Sequence, residues 1–158
     1  MKRHQSLYPL SHEHHHALVH ARDLDSAGAS GDRANIQEVA ARFIGFWKSD
    51  LQMRIAREEQ IVLPLLANHM GAEAAEIRET LEQHSAILRL IDELNEKLAR
   101  RETIEANLLI NIAESLRRHI RYEESELFPA VEAAVPEVEL RLMNMRLSGS
   151  RNHGGDEG

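Results

Sequence analysis

Apolar residues recur along most of this chain at steps of three and four, which is the spacing of one face of an α-helix. Breaks that contain glycine or proline, near residues 28–31, 71 and 136, divide the pattern. The pattern predicts helices over about 11–27, 32–69, 72–99, 103–135 and 137–147. Ser11 and Asp32 are the predicted N-caps of the first two helices, and Thr103 opens the fourth.

The connections between the first four predicted helices are only a few residues long, so each helix must run antiparallel to the next. This predicts an all-α fold: an up-down-up-down four-helix bundle with a short C-terminal fifth helix. No segment alternates between apolar and polar residues over the length of a strand. Residues 148–158 contain four glycines and no apolar residue. We therefore expect a disordered tail after a single domain of residues 1–147.

The overall composition narrows the functional classes. The 158 residues are 42% hydrophobic but only 4% aromatic, which predicts one domain with an aliphatic core. A net charge of −7 without a basic stripe argues against nucleic acid or an anionic membrane as a partner. No apolar run approaches the ~20 residues of a membrane span or resembles that of a signal peptide, so we expect a cytoplasmic protein. The absence of cysteine excludes disulfides and thiolate metal sites.

An internal repeat links the second and fourth predicted helices. Glu58 and Pro64 recur as Glu123 and Pro129, each after the same 65 residues, and apolar residues between them match as well. Two helices of the bundle therefore carry the same local pattern.

Polar residues interrupt the apolar face of the predicted helices. On the fourth helix, His119 and Glu123 lie one turn apart in a row of leucine, isoleucine and valine residues. Arg54 and Glu58 do the same on the second helix. His84 on the third helix is followed by apolar residues at +3, +4, +7 and +10. Each of these side chains is therefore expected to point into the bundle.

The first helix offers several neighbouring histidines, and the spacing selects one of them. His14 is followed by apolar residues at the same four steps as His84. Starting from His15 instead would place Arg22 and Asp25 on the buried face. His14 is therefore the predicted inward histidine, while the other histidines of this helix are expected to lie on a solvated face.

Converging histidines and carboxylates in an aliphatic seam predict a metal site. Buried carboxylates and imidazoles are costly without partners, and one cation can satisfy both, as in the carboxylate metal sites of other helix bundles. Imidazole and carboxylate without thiolate suit iron, manganese or zinc. The alternative is a metal-free network of salt bridges in which Arg54 pairs with Glu58 and Glu123. The candidate ligands are His14, Glu58, His84, His119 and Glu123.

With these residues the chain resembles the hemerythrin-like, or HHE cation-binding, domain family. The family pattern is a histidine in the first helix, His-x-x-x-Glu in the second, a histidine in the third and His-x-x-x-Glu in the fourth. The resemblance covers roughly residues 10–136, and its most specific part is 119–129. It implies a non-heme iron centre in which two carboxylates bridge two irons and histidines fill the outer positions.

Arg54 stands where the family has a histidine. Arginine is always protonated in proteins and cannot donate a lone pair to a metal, so five ligands remain where six are usual. Water or His15 could complete the site, the site could hold a single metal, or the guanidinium could replace the second cation. The expected cofactor is one or two non-heme iron ions, and only two would allow an oxo-bridged pair. We predict one iron, held mainly by His84 and His119 with help from the carboxylates.

The resemblance implies a protein that binds or senses dioxygen or nitric oxide, handles peroxide or stores iron. A fold family does not choose among these functions. We favour a metal- or gas-binding protein over a turnover enzyme. The alternatives are a di-iron-type oxidoreductase that acts on peroxide or nitric oxide, and a metal-free bundle that serves as an interaction module. The expected partners are a metal ion and a small diatomic ligand or peroxide.

Overall fold

The computed structural model describes residues 3–152, and within that range the chain forms helices and no strand. A 3₁₀ turn, Gln5–Leu7, leads into α1, Tyr8–Ser30. Helix α2 spans 33–70 in five consecutive segments: Arg33–Phe46, Trp47–Leu51, Gln52–Arg57, Glu58–Val62 and Leu63–Met70. Helix α3 is Ala75–Ala99, and α5 is Glu137–Asn152. Helix α4 spans 106–134 as Ala106–Tyr122, Glu123–Leu127 and Phe128–Ala134.

The predicted helix starts are correct at one N-cap and wrong at two. Asp32 caps α2 by accepting hydrogen bonds from the backbone N–H groups of Ala34 and Asn35. Helix α1 begins at Tyr8, before Ser11, because Pro9 in the first turn is compatible with a helix start and the turn is anchored by buried leucines. Helix α4 begins at Ala106 rather than Thr103.

The C-terminal helix is longer than the sequence pattern predicts. Helix α5 continues to Asn152, so the first residues of the predicted tail are helical. Residues 153–158, the remainder of the predicted tail, lie outside the described residues.

The helices pack as a bundle, which confirms the all-α prediction. Helix α1 contacts α2 and α4, and α3 contacts the same two helices, so contacts follow the chain order around the bundle. Helix α5 packs against the N-terminal 3₁₀ turn and the Glu58–Val62 segment of α2. None of the described helices is both long and apolar enough to cross a membrane.

Helices α1 and α4 approach closely at Gly28. A Cβ atom there would lie 2.8 Å from Cγ1 of Ile110 and 3.1 Å from the carbonyl oxygen of Ala106. A side chain at this position would therefore push the two helices apart or displace Ile110, and glycine permits their close contact.

Two apolar clusters enclose a polar layer. One is built from residues of the four main helices such as Leu24, Phe43, Ile91 and Leu109. The other contains Leu66, Phe128, Met143 and the N-terminal leucines. Along each of the four helices, buried polar residues lie between the two clusters. They are His14, Arg54, Glu58, His84, His119 and Glu123.

The repeat in the sequence is also a repeat in the backbone. Glu58–Val62 and Glu123–Leu127 are both π-helical turns, and each ends two residues before a proline, Pro64 or Pro129. Proline has no N–H, and its ring collides with the carbonyl four residues earlier, so the α-helical ladder cannot pass through it unchanged. The wider turn accommodates the proline and places a glutamate at the start of each distortion.

Some residues of the predicted inward face lie outside. Leu18, four residues after His14, and Leu81, four residues after Ile77, continue the apolar spacing and are expected to be inward, but both are exposed. Thr80 is buried beside Leu81, because its hydroxyl donates to the backbone carbonyl of Glu76 and no longer needs water. On α2, the apolar spacing from Ile61 predicts Leu65 to be inward, but Leu65 is only partly buried and the neighbouring Leu66 is fully buried.

Candidate metal centre

Four buried side chains from three helices converge in the polar layer. Glu58 of α2, His84 of α3, and His119 and Glu123 of α4 each offer one ligand atom, and these atoms lie within 4.8 Å of one another. His84 Nε2 is 2.9 Å from Glu58 Oε2, and His119 Nε2 is 2.5 Å from Glu123 Oε1 and 3.7 Å from Glu58 Oε2. We call this group, Glu58 Oε2, Glu123 Oε1 and the two Nε2 atoms, the His84–His119 face.

The remaining oxygen of each glutamate meets a different pair of residues. His14 Nε2 is 2.8 Å from Glu123 Oε2. The Arg54 guanidinium donates from Nη2 to the same oxygen at 3.4 Å, and its Nε lies 3.7 Å from Glu58 Oε1. We call this group the Arg54–His14 face. The two glutamates therefore divide their oxygens between two faces of different chemistry.

Each of the three histidines in the polar layer makes a second contact through its Nδ1 atom. The Nδ1 atoms of His14 and His84 lie 2.6 Å from Glu124 Oε1 and 3.1 Å from Glu59 Oε1, respectively. His119 Nδ1 lies 2.8 Å from Oε1 of Gln83. Each Nδ1–H can therefore donate outward while Nε2 points at the glutamates, which is the usual arrangement of a histidine that binds a metal through Nε2.

The residues that hold the histidines were missed by the sequence analysis, although the repeat contains a signal for two of them. Glu59 and Glu124 are the second members of two Glu-Glu pairs at equivalent repeat positions. In each pair the first glutamate is buried and the second reaches a histidine on a neighbouring helix. The doublet thus marks both an inner carboxylate and an outer one.

The electrostatics of the layer favour ionised side chains. Burial alone would raise the pKa of Glu123, but His119, His14 and Arg54 together hold that pKa well below its usual range. Burial likewise disfavours the His119 imidazolium, yet Glu123 and Glu58 outweigh it and raise the pKa of His119 to about 10. The buried carboxylates of the layer therefore stabilise a positive charge placed beside them.

One atom of the His84–His119 face is left without a hydrogen-bond partner. Glu123 Oε1 is buried and accepts no well-formed hydrogen bond, and it is ion-paired with His119 Nε2 at 2.5 Å. A buried carboxylate oxygen that accepts no hydrogen bond depends on a nearby positive charge for its stability. A cation between Glu123 Oε1 and the imidazole nitrogens would satisfy this oxygen, so the residues present fit a bound metal.

The structure brings four of the five predicted ligands into one cluster. His14 contacts the cluster through Glu123 but is not one of the four convergent residues. His15, the predicted substitute, is exposed, and so are His12 and His16. Arg54 is buried, and its guanidinium is turned toward the carboxylates rather than toward water.

A comparison with protein families agrees with this site. The profile of the hemerythrin HHE cation-binding domain matches residues 6–131. That range includes all of the buried polar layer. No curated protein and no solved structure matches the chain significantly.

Proposed function

The chain belongs to the hemerythrin HHE cation-binding domain family, and on that premise we propose that it is a non-heme iron protein that binds or senses dioxygen or nitric oxide, or handles iron. The observation that carries the proposal is the buried cluster of Glu58, His84, His119 and Glu123, whose four ligand atoms lie within 4.8 Å of one another. Neighbouring side chains already orient the histidine Nε2 atoms, so little rearrangement is needed to bind an ion.

The donor set fits iron, and the family resemblance is the reason to propose iron among the metals that it fits. Two imidazoles and two carboxylates without a thiolate suit iron, manganese or zinc rather than copper(I) or an iron–sulfur cluster. An iron ion held by four protein atoms would supply further coordination positions for a small ligand. The protein residues themselves bind the ion, fix its position and keep the layer dry through the apolar clusters on both sides.

A cavity lies next to Arg54, on the Arg54–His14 side of the layer. It has a volume of about 200 Å³, and Glu13, His16, Arg54 and Arg57 are among its lining residues. Arg54 also contacts Glu58 and Glu123, so its side chain separates the cavity from these two carboxylates, which are not among the lining residues. A space of this size suits a diatomic molecule or peroxide better than a large organic substrate.

The proposal is tested by loading the purified protein anaerobically with Fe(II) and measuring iron per chain after desalting. We expect stoichiometric iron in the wild-type protein and its loss in His84→Ala, with His15→Ala as the matched control on an exposed position. Iron should also raise the melting temperature, because a ligand that binds only the native state stabilises it. A wild-type protein without stoichiometric iron would contradict the proposal and favour a metal-free interaction module.

Absorption spectra of the iron-loaded protein then separate binding from turnover. Stable spectral changes on addition of dioxygen or nitric oxide support a carrier or sensor. Rapid, catalytic consumption of peroxide or nitric oxide would instead favour the oxidoreductase alternative.

A further inference from the structure

Arg54 occupies the place in the repeat that His119 occupies in α4. The two residues are separated by the same 65 residues as Glu58 and Glu123, and each lies one turn before its glutamate. His119 contacts Glu123 Oε1, on the His84–His119 face, whereas Arg54 contacts Glu58 Oε1, on the Arg54–His14 face. The equivalent positions therefore serve opposite sides of the same pair of carboxylates.

The guanidinium is held in the layer by several negative groups. Its atoms lie 3.4 Å from Glu123 Oε2, 3.7 Å from Glu58 Oε1 and 3.9 Å from Glu13 Oε2. The Arg54 side chain is only 7% exposed, so water screens these interactions little. Removing the guanidinium from this position would take away one of the positive groups that compensate the buried carboxylates, which is destabilising in comparable buried sites.

A second metal ion on the Arg54–His14 face would require the same carboxylate oxygens that Arg54 already contacts. Arginine has no lone pair to offer the ion. Two positive charges a few ångströms apart repel strongly in a buried layer. His14 alone would remain as a nitrogen ligand on that face.

We propose that Arg54 is a built-in cation in the position of a second metal, so that the protein binds one metal ion per chain, on the His84–His119 face. In this arrangement Glu58 and Glu123 each bridge between the ion and the guanidinium. His14 then positions Glu123 rather than binding metal. The inference rests on the proposed metal function, and the following experiment separates the two.

The experiment counts metal ions in chains that differ at position 54. Wild-type and Arg54→His proteins are saturated with Fe(II) under anaerobic conditions, desalted and analysed for metal and protein by elemental analysis. Arg42→His is the matched control, because it makes the same exchange at an exposed position of α2 outside the buried layer. Both stoichiometries are repeated in a His16→Ala background, which removes the exposed His12 and His16 pair as a source of surface chelation.

We expect one iron per chain in the wild-type and Arg42→His proteins and two in Arg54→His, a twofold rise. Two irons in the wild-type protein would overturn the inference while leaving the proposed function intact. One iron in a folded Arg54→His protein would show that the guanidinium is not what excludes the second ion. No iron in any of these proteins would overturn the proposed function as well.

Folding of the variant is checked independently by circular dichroism and thermal melting without metal. If Arg54→His does not fold, the wild-type count still decides, because two bound ions are incompatible with a guanidinium in the second position.

Discussion

The repeat segments of α2 and α4 have the same backbone conformation but differ in the polar residue one turn before the buried glutamate. Both form a π-helical turn that begins at the glutamate, and both reach a proline six residues after it. Both also use the following glutamate to hold a histidine of a neighbouring helix. Within the polar layer, the two segments differ only in the residue one turn before the glutamate, which is Arg54 in α2 and His119 in α4.

This difference shows how one residue can alter a binding site without altering its scaffold. A histidine can share its Nε2 lone pair with a metal, whereas an arginine brings a permanent charge of its own. In both cases the buried glutamates would have a positively charged partner, either a metal ion or a guanidinium. Under the proposed function, a histidine at this position leaves its face open to a metal ion, whereas an arginine fills its face with a guanidinium.

The largest expected effect follows from removing the glutamate that serves both faces. Glu123→Ala deprives Arg54, His14 and His119 of a shared partner. We expect loss of stoichiometric iron and, in the metal-free protein, a loss of about 3–5 kcal/mol in the free energy of unfolding. Urea unfolding and iron analysis measure the two effects. Glu126→Ala, an exposed glutamate in the same π-helical turn, is the control and should change neither.

The second prediction compares the equivalent residues of the repeat directly. His119→Ala should lose iron because it removes a nitrogen ligand, whereas Arg54→Ala should retain one ion on the His84–His119 face. In Arg54→Ala the rise in melting temperature on iron binding should exceed that of the wild-type protein, because the ion then compensates carboxylates that have lost the guanidinium. Differential scanning calorimetry with and without Fe(II) measures this. Equal loss of iron in both variants would mean that the faces do not differ as proposed.

A smaller effect is expected at His14, which contacts the site through Glu123 only. His14→Ala should weaken iron binding by about 10–100-fold, the usual cost of losing a residue that orients a ligand. His84→Ala should instead abolish stoichiometric binding. Competition with a chelator of known affinity measures the dissociation constants, with the exposed His15→Ala as control. A His14→Ala protein that binds as poorly as His84→Ala would make His14 a direct ligand.

The smallest effect is expected far from the polar layer. Asp32→Ala removes the side-chain cap at the start of α2 and should lower the free energy of unfolding by about 1 kcal/mol. Iron content should stay unchanged, because the cap lies at the end of the bundle that contains the apolar cluster of Leu24 and Phe43, away from the polar layer. A change in iron stoichiometry in this variant would show that site and scaffold are coupled more widely than the two faces suggest.

The sequence by itself determined the helices and the inward residues of the site. Periodicity is a local property, since each residue of a helix turns the chain by about 100°, and it therefore selected buried His14 over exposed His15 and placed His84, His119 and Glu123 inward. It failed at Leu18 and Leu81, where a residue at the edge of the apolar face is left exposed by the neighbouring helices.

Only the tertiary structure decided how these side chains divide between two faces. The head of Arg54 lies several rotatable bonds from its backbone, so the same helix position allows it to point toward water or toward the carboxylates. Its direction depends on Glu123, which belongs to another helix. The outward partners of the histidines, Glu59, Gln83 and Glu124, likewise depend on the distances between packed helices. Spacing along one helix sets the direction of a side chain, but the contact at its end is set by the helices packed around it.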